Sequence, residues 1–464
     1  MRVDILKAAQ AVRTSYWFIP SLMALAAILL GALMVWVDAG PGAHLLDGVG
    51  WYQSVKAEGA HAVLSTIAGS MITVAGVVFS ITIVAISYAS SQYGPRVLTN
   101  FLTDRGNKVT LGTFIATFLY CIVVLRTIRG GDEGAFVPQL AVLTGLLLAV
   151  CSIGVLIYFI HHVPQSIHVN NLIAHIGRQL IEGVGQRFPV TVGEPAGAVQ
   201  AADPSSEAVE GLTARDGGRL RVAAVTARAT GYIQAIDEAG LIDAARRSDL
   251  VLRLRHRPGD FLAAGRTLVE AWPAERLDEH AATALRDAYS TGRRRTPHGD
   301  LDFLVNELAE IATRALSTGV NDPTTAKTCL DWLGAAATEI AGRRLPDWRR
   351  TDEDGKVRVL ALPDDFAEYM ERSFGQLRQY LAGDVNAALH ALRTLGEVAA
   401  GCSEPAQIAV LTKEAACLAE AAANALAEPE RGRVEARAKS LALLLSAGPQ
   451  GIAERQAEWL GGTA

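Results

Sequence analysis

Four long apolar segments, each free of Asp, Glu, Lys and Arg, run from about Tyr16 to Val37, Val63 to Ala89, Val109 to Leu125 and Val137 to Ile160. At about 1.5 Å of rise per residue, helices of these lengths cross a hydrocarbon layer of about 30 Å, so the pattern predicts four membrane spans. The first apolar stretch exceeds the roughly 7 to 15 residues of a secretory signal core. No small-residue cleavage site follows Trp36-Val37-Asp38, which makes this segment a retained anchor. Tyr16, Trp17 and Phe18 are expected at one interface and Trp36, Trp51 and Tyr52 near the other, where amphipathic rings prefer to lie.

Beyond the fourth span the pattern changes twice. Ala196 to Gly218 is rich in Ala, Gly, Asp, Ser and Glu without periodicity and reads as a linker or loop. From Arg219 the period becomes two: Leu220 and Val222, Tyr232 to Ile236, Leu250, Leu252 and Leu254, then Thr267 to Trp272, interrupted by a helix over Glu238 to Arg247. The stretch Gly259 to Leu268 is similar to the turn-and-strand pattern of small barrel-sandwich domains that carry biotin or lipoate. No lysine lies between Arg219 and Trp272, which excludes covalent cofactor attachment there. Helical spacing then returns over Leu301 to Leu316, with Asp322-Pro323 as N-cap and first-turn proline of the next helix. A polar stretch with Asp354-Gly355 as a hairpin turn precedes Val357 to Leu360. Phe366, Tyr369, Met370, Phe374, Leu377 and Leu381, then Val385, Leu389, Leu392 and Leu395, continue as helices, followed by Glu404 to Leu426 and Glu428 to Leu445.

The fold class expected is an α-helical membrane domain of four transmembrane helices followed by an α+β soluble domain containing a small β-barrel-like module and a helical bundle. The expected boundaries are a four-span domain over 1–162, a juxtamembrane helix and linker over 163–218, a small β module over 219–275 and a mainly helical region over 276–464.

Composition sharpens this division. Half of the 464 residues are apolar and 20% are charged. Met1 to Ile160 holds only 9 Lys+Arg and 7 Asp+Glu, leaving 34 and 41 for the remainder. The net charge of −5 thus divides as +2 and −7, and the soluble part lacks the basic excess of a nucleic-acid surface. The five cysteines show neither metal-ligand spacing nor an even framework, as suits a reducing interior, and no cofactor is expected. Arg2, Lys7, Arg13, Arg96, Arg105 and Lys108 flank one side of the spans against Lys56, Arg126 and Arg129 on the other, a bias that puts both termini in the cytoplasm.

Three groups of residues are candidates for function. On a 3.6-residue helix, Ser65, Gly69, Thr73, Gly76, Ser80, Ser87 and Ser91 of the second span fall within about 40° of one line, interrupted by Ile83. Such a stripe suits close helix packing first, and otherwise a face lining a wet path. In the packing reading, Gly76→Leu should be more disruptive than Val78→Leu, which lies on another face. His161, His168 and His175 recur every seven residues, so a continuous helix would place them on one face with Gln165, about 10.5 Å apart along the axis. They are either an ordinary polar face with a kink at Pro164 or, in a symmetric oligomer, pH-sensitive rings of imidazole below the membrane. His162, about 100° away, is expected at the interface. Arg293, Arg294 and Arg295 form the densest basic run, either solvated or able to dock anionic lipid headgroups or an acidic partner.

The stretch from Ser65 to Arg126, with Ser-Gln-Tyr-Gly-Pro-Arg at 91–96 and Asp104-Arg105-Gly106-Asn107, together with Asn321-Asp322-Pro323 in Ala315 to Ala326, resembles the bacterial membrane-protein family of domain of unknown function 2254. The resemblance covers most of the chain and implies four N-terminal spans, a cytoplasmic remainder and no assigned activity.

Motifs for metalloprotease, serine hydrolase, phosphate-loop, dinucleotide and dithiol chemistry are absent, so no enzymatic activity is expected. Nor do the four apolar segments contain the ionisable residue usual in a coupled transporter. Two readings remain: a homo-oligomeric channel or pore regulated by its soluble domain, or a non-conducting scaffold or sensor whose soluble domain binds a partner or ligand. Four spans are too few to enclose a pore in one chain, so only the first requires a homo-oligomer. Membrane lipids are partners in both.

Overall fold

The computed structural model describes residues 17–40, 56–94, 104–130, 136–187, 214–215, 218–219, 221–297, 299–343, 348–362 and 365–461, in two units divided between Leu172 and Ile173. The expectations for Arg2, Lys7, Arg13, Tyr16, Trp51, Tyr52, Pro95, Arg96 and most of the 196–218 linker lie outside the described residues.

In the first unit, α1 (Phe18–Ala39), α2 (Ala57–Tyr93), α3 (Arg105–Leu125) and α4 (Gln139–Ile167) follow the four apolar segments, and all four are long and apolar enough to cross a membrane. At 37 residues, α2 is about 55 Å long, well beyond the hydrocarbon thickness. Packed against all three others, α3 is the centre of the unit. Its Phe114 meets Met71, Ala75 and Val78 of α2 and Phe159 and Val163 of α4. Against α1, Gly112 leaves room for Met23 and Pro20, and Gly31 of α1 comes close to Val123 and Tyr120.

Polar groups tie the same helices together. The Asp38 carboxylate at the end of α1 accepts from the backbone N–H groups of Leu140 (3.1 Å) and Ala141 (2.8 Å), capping α4 from outside its own sequence. Tyr120 donates to the Ala141 carbonyl at 2.9 Å, and the hydroxyls of Thr117 and Ser152 lie 3.0 Å apart.

In the second unit, most of α5 (Val169–Arg187) presents Ile173, Ile176, Leu180 and Val184, which are buried at helical spacing. β1 (Ala214–Arg215) and β2 (Gly218–Arg219) form a two-stranded antiparallel pair. Next come β3 (Ala223–Thr226), β4 (Gly231–Ile236), α6 (Glu238–Arg247), β5 (Val251–Leu254), β6 (Phe261–Leu262), β7 (Thr267–Trp272), α7 (Glu279–Asp287) and β8 (Tyr289–Gly292). The period of two is explicit in β5, where Leu252 and Leu254 are buried and alternate with the half-buried Val251 and Arg253.

The helical part contains α8 (Leu301–Ala315) and α9 (Pro323–Ala341), then β9 (Arg349–Thr351) and β10 (Val357–Leu360). These two strands join β3, β7 and β5 in a sheet of order β3-β7-β5-β10-β9, in which only the β10–β5 pair is parallel. A three-stranded antiparallel sheet has the order β6-β4-β8. Both sheets are open, so the expected barrel-like closure is not what these strands form. The period-two pattern specifies strands and faces, but edge pairing with β8, β9 and β10, which lie far along the chain, sets the sheet shape. Leu241, Ala244, Ala245, Ala281, Ala282 and Leu285 of α6 and α7 cover the apolar side of the strands.

α10 (Phe366–Met370), a π-helical turn at Glu371–Gly375 and α11 (Gln376–Leu381) run without interruption, followed by α12 (Val385–Ala399), α13 (Pro405–Ala425), α14 (Glu430–Ser446) and α15 (Gly448–Gly461). The expected helices recur here within a few residues, whereas α7 and α15 have no counterpart in the expected elements. α15 is held by the Trp459 ring, which lies over Gly396, carries the Arg437 guanidinium 3.6 Å from its centroid and donates to Ser440 at 2.9 Å.

Asp249, which is two-fifths exposed and in the left-handed region (φ 48°), joins the sheet's loops by contacting Lys356, Arg358 and Arg276. The hydrogen bond from Lys356, then that from Arg358, holds its carboxyl well below the usual carboxylate range. A lowered folded-state pKa contributes stability above the unfolded carboxylate value and loses it as pH falls through the acid range. Asp249→Asn should therefore lower the stability of the full-length protein at neutral pH by about 1 kcal/mol, a modest figure because exposure screens the pairs. In thermal unfolding, the gap between variant and parent should close as pH falls below about 4.

Candidate functional site

The start of α3 gathers more buried polar chemistry than any other described part of the membrane unit. Asp104 is its N-cap: one carboxylate oxygen accepts from the Gly106 N–H at 3.0 Å, and the other accepts from His162 Nε2 of α4 at 2.7 Å. The His162 ring stacks on Tyr158, one turn earlier on α4, with centroids 5.0 Å apart. Glycine at 106 is required by this approach: a Cβ there would lie 2.6 Å from His162 Nε2 and 2.8 Å from the Tyr158 hydroxyl. One turn into α3, Asn107, Lys108 and Thr110 are all buried. The Asp104-Arg105-Gly106-Asn107 sequence is thus a helix cap that also fastens α3 to α4. His162 is its partner.

Every member of the second-span stripe, Ser65, Gly69, Thr73, Gly76, Ser80 and Ser87, faces outward. A Cβ at Gly69 or Gly76 would meet nothing within 4 Å, whereas Val78 is 2% exposed. Within one chain, therefore, the stripe makes no close contact, and Val78 rather than Gly76 is the packed position. The inward face of α2 is instead the row containing Leu64, Ala68, Met71, Ala75, Val78 and Ile86. Outward hydroxyls on α2 turn back on their own helix: Thr66 donates to Ala62 O at 2.7 Å and Thr73 to Gly69 O at 2.9 Å.

His161, His168 and His175 are exposed, but one continuous helix does not carry them. The chain leaves helical geometry at His168 (ψ 122°), three residues after Gln165, so the seven-residue register is broken there. Pro164, where a kink was expected, lies inside α4, which continues past it to Ile167. Gln165 Nε2 lies 3.0 Å from His161 Nε2, and Gln179 Nε2 lies 3.2 Å from His175 Nε2.

In the basic run, Arg293 and Arg294 are exposed, but Arg295 is committed. Its guanidinium makes two 2.8 Å bonds to Asp300, which is 2% exposed and caps α8 through the Phe303 N–H. Arg295 is therefore a fold residue and not a free contact for lipid. Nearby, Arg257 pairs with Glu368 at 2.8 Å, and Arg372, on the π-helical turn, pairs with Asp302 and Glu368. These groups line a cleft of about 40 Å³, room for one or two waters. A larger groove of about 260 Å³ between α13 and α14 is lined mainly by alanines, including Ala415, Ala419, Ala438 and Ala442. Among the described residues, no group of three or more His, Cys, Asp or Glu is arranged to hold a metal. Asn321-Asp322-Pro323 forms the α8–α9 connection: Asn321 takes a left-handed φ of 51°, and Asp322 caps α9 through Thr324 N–H (3.1 Å) and Thr325 N–H (3.2 Å).

Four apolar helices stapled through buried polar groups, followed by an α+β region, define a multi-span membrane protein. The chain belongs to the predicted membrane protein family of domain of unknown function 2254, whose profile matches residues 13–397. It is 29% identical over 418 residues to uncharacterized proteins of Mycobacterium bovis and Mycobacterium tuberculosis, covering 89% of this chain and 77% of theirs. No solved structure matches.

The α3–α4 fastening predicts a contrast between two glycines of the spans. Gly106→Ala should push the His162 ring off Asp104 and lower stability by about 1 to 3 kcal/mol. Gly154→Ala, where a Cβ meets open space, should be neutral or stabilising by up to about 1 kcal/mol through helix propensity. Thermal unfolding of the two variants in one detergent compares them directly.

Proposed function

We propose that this protein assembles as a homo-oligomer through the outward stripe of α2, and that the shared axis forms a passive permeation path across the bacterial inner membrane, regulated by the soluble unit. The carrying observation is a contrast between outward faces. On α1 and α4 these are large and apolar, with Leu25, Leu29, Leu33, Leu147, Ile153 and Ile157 exposed, as a lipid contact requires; α2 exposes Ile72, Val77, Phe79 and Val84 as well, but carries beside them a row of small residues. The stripe on α2 consists of Gly, Ser and Thr and repeats along the membrane depth. Small residues let helix backbones approach where lipid supplies no hydrophobic drive, and hydroxyl oxygens replace water for a passing solute. Both termini lie in the cytoplasm in this reading, following the Lys/Arg bias, and anionic lipid meets Arg293 and Arg294 but not Arg295. His161 lies on the same side as the termini, near the mouth of the path. No catalytic step is involved.

Native mass spectrometry of the full-length protein and ion flux from liposomes test the reading together. A closed oligomer that conducts is expected. Gly76→Leu should weaken association roughly 5- to 150-fold, the equivalent of about 1 to 3 kcal/mol of overpacking, and reduce flux while leaving the chain folded. A monomer in lipid contradicts the assembly, and a folded oligomer without flux replaces the channel by the scaffold reading. In intact cells, a cysteine at Gly48 should react with an impermeant thiol reagent and one at the exposed Ser91 should not, and the opposite pattern inverts the topology.

A further inference from the structure

The buried start of α3 contains two oxygen atoms without a partner. Asn107 is 4% exposed and Thr110 1%, and neither Asn107 Oδ1 nor Thr110 Oγ1 makes a hydrogen bond. This breaks the rule followed by other hydroxyls of the spans. Thr66, Ser70, Thr73, Thr82 and Thr113 each donate to the carbonyl four residues back, at 2.7 to 2.9 Å. Thr110 does not, although it occupies the same kind of helical position. Buried polar groups left unpaired in an apolar interior are strongly disfavoured and point to an occupant.

The two residues are one turn apart, separated by about 4.5 Å along the axis and about 60° around it, so one small species can reach both. Asn107 Oδ1 only accepts, while the Thr110 hydroxyl both donates and accepts. Neither atom is bonded to Asp104, whose oxygens take the Gly106 N–H and His162. One turn further, Phe114 is buried with Phe159 and Val163 in a cluster that offers only apolar surface. The next polar pair, Thr117 with Ser152, is already satisfied.

We propose that Asn107 and Thr110 form an internal hydration site, in which a water molecule donates to Asn107 Oδ1 and hydrogen-bonds Thr110 Oγ1 beside the Asp104–His162 pair. The water extends the polar end of the bundle one turn deeper than the Asp104 cap and stops at Phe114. An alkali cation would use the same oxygens, but Lys108 and Arg105 on the same helical turn place positive charge beside the site, and water does not incur that repulsion. This site is independent of the oligomer reading, since it lies inside one chain.

Water-edited solid-state NMR of the full-length protein in bilayers tests the site without any substitution. Magnetisation from water should reach Asn107 and Thr110 about as fast as the exposed Ser317, and reach the buried Ala75 and Phe114 slowly. Slow transfer at both Asn107 and Thr110 overturns the proposal. Thr110→Val provides a second readout: loss of a bound water should lower the unfolding midpoint by about 2 °C, whereas removal of an orphaned hydroxyl should raise it. Unfolding in sodium, potassium and N-methylglucamine chloride at equal ionic strength separates the two occupants. An unchanged midpoint supports water, and a rise specific to sodium or potassium identifies an alkali ion and overturns the assignment.

Discussion

A polar group inside a bilayer must find its partner within the protein, and in this chain α3 is where those partners meet. Asp104 and His162 at one end, Thr117 and Ser152 in the middle, and Tyr120 with the Ala141 carbonyl towards the other end all lie at the α3–α4 contact. Asp38 adds α1 by capping α4. Each bond joins two different helices, so a shift of one helix against its neighbour would strand several buried groups at once. That requirement fixes register where apolar side chains, interchangeable with lipid, would not.

The same constraint sorts the surfaces. Because α3 takes the inward faces of the other helices, α2 uses its Ala, Leu, Met and Val row for the interior and leaves its Gly, Ser and Thr row outside, next to the exposed Ile72, Val77, Phe79 and Val84. A small-residue row turned away from its own bundle has two neighbours open to it, lipid or another copy. Lipid fits the Leu- and Ile-covered faces of α1 and α4 better, and the homo-oligomer reading rests on that difference. In the second unit, charge pairs add to the apolar core: Arg295–Asp300, Arg358–Asp352 and Arg257–Glu368 join segments whose apolar sides already face it.

Much of this was legible in the sequence, for identifiable reasons. Spans show as uncharged runs, strand β5 as alternation, and helix starts as Asp with Pro or a capping partner, as at Asp322. The helices α7 and α15 were missed because their buried faces are small, Ala281, Ala282 and Leu285 in α7 and Ile452 in α15, and leave no long apolar repeat in the sequence. The stripe on α2 was visible, but its direction was not, since a periodic row of small residues looks the same facing in or out. Asp38, Asn107 and Thr110 escaped notice for another reason. Asp38 and Asn107 stand just outside the uncharged runs and Thr110 just inside one, and only the packing shows that their side chains are buried. The signal that could have found part of this site was the Asp104-to-Asn107 motif, with its small Gly106 between a cap and an amide.

Disulfide cross-linking in native membranes tests the outward contact most directly. In a background lacking the native cysteines, a cysteine at Ser80 on the α2 stripe is compared with one at Leu147 on the outward face of α4. Because a disulfide needs Cα atoms within about 7 Å, only a true subunit contact gives efficient oxidation. The account predicts cross-linked dimers from Ser80→Cys and little product from Leu147→Cys. Dimers from Leu147→Cys with none from Ser80→Cys would contradict it.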